Sequence, residues 1–275
     1  MSLTIETPGA EARDVLTQIE AAARAAAVSD VRYALRLDLV ANAATFRGHL
    51  VTRFSVAAGH AGPIFLCFRG RTIHSLTLNG VAIESPDWNG YRLTLPAARL
   101  KAGAENLLEV SFENAYDTGG DGVFRFIDPE DQNEYVYTNF EPYEAHRMAP
   151  LFDQPDIKAR LTLEVLAPSE WVVMANGAER AAGPVEADGR TLRTFTETPP
   201  LSTYLFAMTA GAFVGERREL HLPGRAEAIP VGLWSRRSLA AHLEHDRFHE
   251  MTEQAFIYFG TLFNTYFFFA QYANI

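Results

Sequence analysis

The sequence predicts a mainly β protein, an antiparallel β-sandwich or β-barrel, with a helical segment before it and another after it. From residue 33 onward, segments of alternating apolar and polar residues recur about every ten residues, with turn residues between them. This spacing is typical of antiparallel sheets joined by tight turns. Two stretches differ: residues 9–28 are rich in Ala, Glu and Gln, and residues 238–263 lack Gly and Pro until Gly260. Both favour helices.

The first half of the chain carries the clearest strand pattern. Val15 and Ile19 recur at helical spacing in the first stretch, and strict alternation begins at Tyr33. Gly48 interrupts the second strand and is a candidate β-bulge. Asn79-Gly80 is typical of a two-residue hairpin, so the strands on either side of it should pair. The predicted strands are residues 33–39, 45–56, 63–68, 73–78, 81–83, 91–95 and 106–113.

A second group of strands follows a long polar and aromatic segment. These strands are predicted at residues 158–166, 170–174, 192–196 and 204–213, with turns at Asn176-Gly177 and Asp188-Gly189. After residues 230–234 the pattern becomes helical, and Ser238 is the candidate N-cap of that helix.

Composition excludes several classes of function. The formal net charge is −10 and the 24 Lys and Arg residues are scattered, which argues against nucleic acid as a partner. The most apolar stretch, residues 263–270, is far shorter than the roughly 20 residues that cross a bilayer, so no membrane partner is expected. The single Cys67 allows no internal disulfide and fits a small core residue. With no leader sequence visible, we expect a cytoplasmic protein.

His245 and His249 form the most conspicuous metal-like pattern. Two His four residues apart share a helix face, as the zinc ligands of an HExxH motif do, but Asp246 stands where that motif has its general-base Glu. We therefore interpret these residues and His242 as a solvated helix flank and predict no metal ligands. There is no GxSxG nucleophile motif, and the glycines at residues 119–122 fit a loop rather than a phosphate-binding turn.

The segment from residue 135 to residue 159 is unusual for a connection. It contains seven charged or His side chains among aromatic residues and prolines at positions 142, 150 and 155. The prolines block a long helix, although one short helical turn over residues 142–148 could begin at Pro142. Glu141 could bind a cation such as a free amino group by a charge-assisted hydrogen bond. A structural loop pinned by internal ion pairs explains the same residues equally well.

This segment carries a resemblance to a known family. Residues 138–159, TNFEPYEAHRMAPLFDQPDIKA, resemble T-Q-F-E-x-x-x-A-R-R-x-F-P-C-F-D-x-P-x-x-K-A, a signature of the N-terminal domain of aminopeptidase N-type zinc metallopeptidases. GVFRFIDP at 122–129, APSEWVVMANG at 167–177, TPPLSTYL at 198–205 and the strand that opens at Tyr33 also resemble that family. The resemblance covers nearly all of the chain after residue 30.

The resemblance implies a saddle-like β-sandwich followed by the start of a thermolysin-like α+β catalytic domain. In the family, the residue at the position of Glu141 binds the free α-amino group of the substrate, as a buried carboxylate that rejects N-blocked peptides. Its neighbour at the position of Asn139 is usually Gln. The family's zinc-binding HExxH motif and its GAMEN motif do not occur in the 275 residues. We therefore expect zinc and the catalytic residues only in a longer parent protein.

The sequence thus predicts three regions: an N-terminal helical extension over residues 1–30, the sandwich over 31–215, and the beginning of a truncated catalytic domain over 216–275. The predicted partners are peptide N-termini and the missing catalytic domain, and the chain alone should be inactive. Alternatively, a non-catalytic aminopeptidase-like binding or scaffold protein would use aromatic residues 259–272 as an interface. A carbohydrate-binding sandwich is a third reading, which leaves the Glu141 segment unexplained.

Overall fold

The computed structural model describes residues 13–223, 225–264 and 271–275. In these residues the chain forms two α-helices and eighteen strands. The helices are α1 (Gln18–Ala27) and α2 (His245–Phe263). The strands are β1 (Val28–Asp38), β2 (Thr45–Val56), β3 (Ile64–Cys67), β4 (Thr72–Leu78), β5 (Val81–Ala82), β6 (Asp87–Trp88), β7 (Arg92–Leu95), β8 (Glu105–Ala115), β9 (Gly122–Ile127), β10 (Glu134–Asn139), β11 (Ala159–Pro168), β12 (Val172–Ala175), β13 (Glu179–Val185), β14 (Arg190–Phe195), β15 (Met208–Gly211), β16 (Phe213–Leu220), β17 (Ile229–Arg236) and β18 (Tyr272–Asn274).

The strands form one large sheet and three small ones. The large sheet has the order β13-β14-β11-β1-β2-β8-β4-β5, and the others are β12-β15-β10-β9, β3-β7-β6 and β16-β17-β18. Neighbouring strands are antiparallel except in the pairs β1–β11 and β17–β18, which are parallel. The predicted mainly β, antiparallel architecture is confirmed.

The core lies between the large sheet and two of the small ones. Alternating side chains of β1 and β2 point inward, and Leu35 of β1, Leu66 of β3 and Val136 of β10 belong to one buried cluster. The edge-to-face pair of Phe54 and Phe152, with ring centroids 5.1 Å apart, closes this layer. The chain is therefore a sandwich, with the eight-stranded sheet on one side.

The hairpin and the bulge predicted from glycines have opposite outcomes. Asn79 and Gly80 both have positive φ, and Leu78 pairs with Val81, so the hairpin is confirmed. Gly48 is not a bulge, because it pairs in regular register with Leu37 and Phe112. The irregularity between β1 and β2 lies at residues 29–32 instead.

The terminal helices differ from their predicted limits. The described part of the first helix begins at Gln18, where Thr17 and Glu20 form a capping box, and residues 9–12 lie outside the described residues. At the other end, α2 begins at His245, after a 3₁₀ helix over Arg237–His242. Ser238 does not cap α2, because its hydroxyl donates to Asp128 Oδ2 at 2.6 Å.

The strand predicted over residues 204–213 is interrupted. Thr203–Leu205 is a 3₁₀ helix, and two strands, β15 and β16, follow in its place. Strands β9 and β10, which lead into the Glu141 segment, were not predicted. The division at residues 30 and 215 stays a prediction, although the chain enters β1 directly from α1 and β16 spans residue 215.

Candidate functional site

The Glu141 loop, residues 140–158, connects β10 with β11. Both strands are interior members of their sheets, so the loop passes from one layer of the sandwich to the other on a rigid scaffold. Its base is buried through Phe140, Met148 and Phe152. Leu151 exchanges two backbone hydrogen bonds with Cys67 of β3, at 2.8 and 3.0 Å. Cys67 is buried, as expected of a core residue.

The loop does not form the predicted helical turn over residues 142–148. A shorter 3₁₀ helix spans Ala145–Arg147, and Pro142 follows Glu141 through a cis peptide bond rather than opening a helix. The Glu144 amide donates to the Phe140 carbonyl oxygen at 3.0 Å, which closes the preceding turn.

The polar side chains of the loop divide into two groups. Those of the first group are turned into the protein and paired: Glu144, His146, Arg147 and Asp153. Those of the second group are exposed: Glu141, Asp156 and Lys158. The first group therefore pins the loop through ion pairs, whereas the second group faces solvent.

Arg147 ties the loop to the start of β9. Its Nη1 donates to Asp117 Oδ2 at 2.7 Å, and its Nε pairs with Glu144. Gly122 has a φ of +67°, and a Cβ there would lie 2.9 Å from Arg147 Cδ. A glycine is therefore required at residue 122, both for its backbone angle and for the close approach of the arginine stem.

His146 is the buried centre of the loop. Its Nδ1 lies 2.8 Å from Asp153 Oδ2 and its Nε2 lies 2.8 Å from Asp14 Oδ1. Burial alone would lower the pKa of His146, but hydrogen bonds to Asp14 and Asp153 outweigh it and raise the pKa to about 9. Because carboxylates only accept, both ring nitrogens carry protons and His146 is an imidazolium at neutral pH.

Tyr143 covers this imidazolium on one side. The centroids of the two rings are 4.5 Å apart, and the Tyr143 hydroxyl donates to Cys67 Sγ at 3.1 Å. Burial raises the pKa of Tyr143, so the phenol is neutral at physiological pH. The segment could be recognised from the sequence, but this cluster could not, because its members are far apart in the chain.

The two predicted binding residues lie next to each other at the exposed edge of the loop. Asn139 ends β10, where its Nδ2 donates to the Gly120 carbonyl oxygen at 3.0 Å. Glu141 is exposed, which differs from the buried carboxylate we expected. Its carboxylate has no hydrogen-bond or ion-pair partner within the described part of the chain. It is therefore free to accept hydrogen bonds from a cationic ligand.

Of the three His residues predicted to form a solvated flank, His242 is exposed, whereas His245 and His249 are partly buried and face β16. His245 Nδ1 and His249 Nε2 lie 3.4 and 3.5 Å from Glu216 Oε1 on β16, and Arg218 pairs with the same carboxylate. Burial and the nearby Arg218 lower the pKa of His249. Within the described ranges, no three His, Cys, Asp or Glu side chains are placed to hold a metal ion.

Two cavities border β18. One, of about 450 Å³, is lined largely by apolar residues of β12 and β15 such as Met174. The other, of about 500 Å³, lies against Trp234 and Phe248. Glu141 lines neither, so the exposed carboxylate and these cavities are separate features.

Comparisons with known proteins place the chain in a family. The model of the Peptidase M1 N-terminal domain matches residues 29–205, which is most of the chain. The chain belongs to the M1 peptidase family. Aminopeptidase N of Streptomyces lividans is 34% identical over 263 residues, covering 94% of this chain and 29% of that relative. Probable M1 family aminopeptidase 1 of Encephalitozoon cuniculi is 35% identical over 120 residues, covering 44% of this chain and 13% of that protein.

The family match covers the eight-stranded sheet and most of the four-stranded sheet from which the Glu141 loop starts. It begins at residue 29, next to the start of β1, and ends within the 3₁₀ helix that precedes β15. The chain spans less than a third of the length of these relatives. No helix in the described residues is long and apolar enough to cross a bilayer.

Proposed function

We propose that this chain is the N-terminal part of a zinc-dependent aminopeptidase and that Glu141 binds the free α-amino group of the peptide substrate. The observation that supports this most directly is the state of Glu141. Its carboxylate is exposed and has no partner among the described residues, whereas the charged side chains of the loop that point inward form ion pairs. Several relatives bear the name aminopeptidase, which fits a site for peptide N-termini.

The chemistry of the proposed contact is an ammonium on a carboxylate. Such charge-assisted hydrogen bonds are about twice as strong as neutral ones. An acetylated N-terminus carries no charge and one N–H donor instead of three, so it would leave Glu141 uncompensated once the site is closed from water. Asn139, two residues before Glu141, would accept a further hydrogen bond from the ammonium through its amide oxygen, since its Nδ2 can only donate and already donates to Gly120.

We propose that peptide hydrolysis requires polypeptide outside these 275 residues. Zinc would polarise the scissile carbonyl and activate water when bound there, and this chain would supply only the amine anchor. The division would then be a helical extension over residues 1–30, the sandwich over 31–215 and the start of the catalytic domain over 216–275. A cytoplasmic location fits the buried free thiol of Cys67.

The surface of α2 supports a missing partner domain. Only Gly260 of this helix is buried, and apolar side chains face solvent along one side. Exposed stripes of this kind usually mark an interface. The exposed apolar residues of α2 include Phe248, Met251, Tyr258, Phe259, Leu262 and Phe263.

The same stripe favours a second candidate function. A non-catalytic aminopeptidase-like protein would keep the Glu141 site for N-termini and use α2 to bind a partner chain. An assay of the purified chain on an aminoacyl anilide with added zinc bears on both functions. We expect no turnover, and turnover that a chelator abolishes would contradict the proposed inactivity of the chain alone.

The amine-binding role is tested by titrating the chain with glycyl-glycine amide and with its N-acetyl form. We expect NMR shift changes at residues 139–141 with the free amine only, and a loss of at least about fivefold in affinity for Glu141→Gln, since a charged hydrogen-bond partner is removed. Asp156→Asn is the matched control, because Asp156 is exposed in the same loop. Equal effects of the two variants, or equal binding of the acetylated ligand, would contradict the role of Glu141.

A further inference from the structure

The N-terminal strap, residues 13–27, lies against the buried side of the Glu141 loop. Gln154 Nε2 donates to the Ala21 carbonyl oxygen at 2.9 Å, and Arg92 holds Glu20 with contacts of 2.6 and 3.1 Å. Arg92 Nη2 also donates to the Val15 carbonyl oxygen at 2.8 Å. The strap is therefore fixed to both the loop and β7.

Arg24 is the buried link between strap and loop. It is only 4% exposed, and its guanidinium donates to Gln154 Oε1 and to the Asp153 carbonyl oxygen, both at 3.1 Å. It also contacts Cys67 Sγ at 3.1 Å and lies 4.7 Å from the centroid of the Phe65 ring. No carboxylate oxygen lies within ion-pair distance of Arg24 among the described residues, so loop amide and carbonyl groups satisfy a buried charge.

Asp14 completes the link through His146. The imidazolium is held between Asp14 of the strap and Asp153 of the loop, and Asp14 Oδ2 also accepts from Arg69 Nη1 at 2.9 Å. Asp153 in turn accepts from the His146 amide at 3.0 Å and from the Thr203 hydroxyl. The 3₁₀ helix that contains His146 is therefore held from two sides, by Asp14 and by Asp153. It begins at Ala145, four residues after Glu141.

We propose that Asp14 and Arg24 are positioning residues for Glu141: the strap holds the buried base of the loop so that the carboxylate at its exposed end meets the substrate amine in one geometry. This inference rests on the proposed amine-binding function. Neither residue touches the ligand. They act through His146 and through residues 153 and 154, which follow the turn that carries Glu141 and hold its C-terminal side.

The physical reason is that an exposed acidic loop loses conformational entropy when it is held in one conformation, unless such anchors order it beforehand. Glu141 and Pro142 are exposed, so packing of these two residues does little to order the carboxylate. Without the strap, His146 would lose one of its two carboxylates and the loop would gain alternative conformations. A binding group that must be ordered on binding loses affinity by the cost of that ordering.

The test uses Asp14→Asn in the full chain. The groups that face His146 are Asp14, Asp153, Tyr143 and Cys67. Removal of the Asp14 charge should lower the pKa of His146 toward the ordinary value of about 6.5. We expect glycyl-glycine amide to bind the variant nearly as well as wild type at pH 6. Because Asp153 alone then favours the charged ring, we expect the variant to bind severalfold more weakly than wild type at pH 8. Titration of the ligand's own amine cancels in this ratio.

Glu105→Gln is the control, because it removes an exposed carboxylate that pairs with Arg53 on the outer face of the sandwich. A merely structural role would lower the thermal midpoint of Asp14→Asn and leave the affinity ratio independent of pH. That result would overturn the inference.

A second measurement separates this inference from the proposed function. If wild type does not bind the ligand, the amine-binding function fails, and amide exchange of Glu144 and Arg147 then decides on the strap. Both amides donate to loop carbonyls, so we expect faster exchange in Asp14→Asn and in Arg24→Met. Exchange equal to that of wild type would overturn the positioning role.

Discussion

At the scale of single residues, His146 carries the largest electrostatic consequence. It is fully buried and lies between two carboxylates, so it is protonated where an ordinary His is neutral. A group of this kind stabilises the fold only while it keeps its proton. The same two ion pairs that hold the Glu141 loop therefore make the stability of the chain sensitive to alkaline pH.

The sign of this dependence follows from the pKa of His146, which is about 9 in the folded chain against about 6.5 when unfolded. Its contribution is fully present below pH 6.5 and is lost as the pH rises through 9, a change on the order of 3 kcal/mol. Urea unfolding at pH 6 and pH 10 should show this loss in wild type. His146→Gln should lack it, whereas exposed His49→Gln should retain it.

Some features of the Glu141 loop could be predicted from the sequence, and others could not. The Glu141 segment was recognisable from its charges, prolines and family resemblance. The division between paired and free carboxylates was not, because Asp14 and His146 are 132 residues apart in the chain. Only the fold decides that Asp153 is an internal anchor while Glu141, in the same loop, is exposed.

At the scale of elements, the strands that alternation predicted most clearly are those with one buried face. Alternation marks β1 and β2 because their outer faces are polar. It is weak in β10, where Glu134, Tyr135 and Val136 are all buried, and absent in β13, an edge strand that is exposed throughout. Period-two reasoning therefore fails where both faces or neither face is covered.

Gly48 in β2 tests how an element accommodates its neighbour. A Cβ at this position would lie 2.1 Å from Phe112 Cζ, in the buried core and in the middle of a regular ladder. Gly48→Ala should therefore destabilise the chain by about 1–3 kcal/mol through overpacking, measured by chemical unfolding. If the Phe112 ring is the cause, Phe112→Leu in the same chain should recover part of this loss. Strictly additive effects would contradict that explanation.

At the scale of the whole molecule, the sandwich buries its apolar side chains, whereas α2 exposes many of its own. The core of the sandwich is continuous across three sheets, whereas α2 packs through Phe256 on a small cluster near β17. The opposite side of the helix exposes an apolar stripe. Among the described residues, α2 therefore takes little part in the buried core.

This asymmetry predicts separate effects on association and on stability. Phe259 and Leu262 are 53% and 58% exposed, so replacing both with Ser should reduce self-association of the purified chain while the thermal midpoint stays nearly constant. Phe256→Ser is the matched control on the same helix. It should lower the midpoint, because the Phe256 ring packs edge-to-face on Tyr272 with centroids 5.2 Å apart. Sedimentation velocity and thermal unfolding measure the two effects. If the double variant self-associates as strongly as wild type, the exposed apolar stripe of α2 does not mediate that association. The proposal that a partner domain covers this stripe then loses its support.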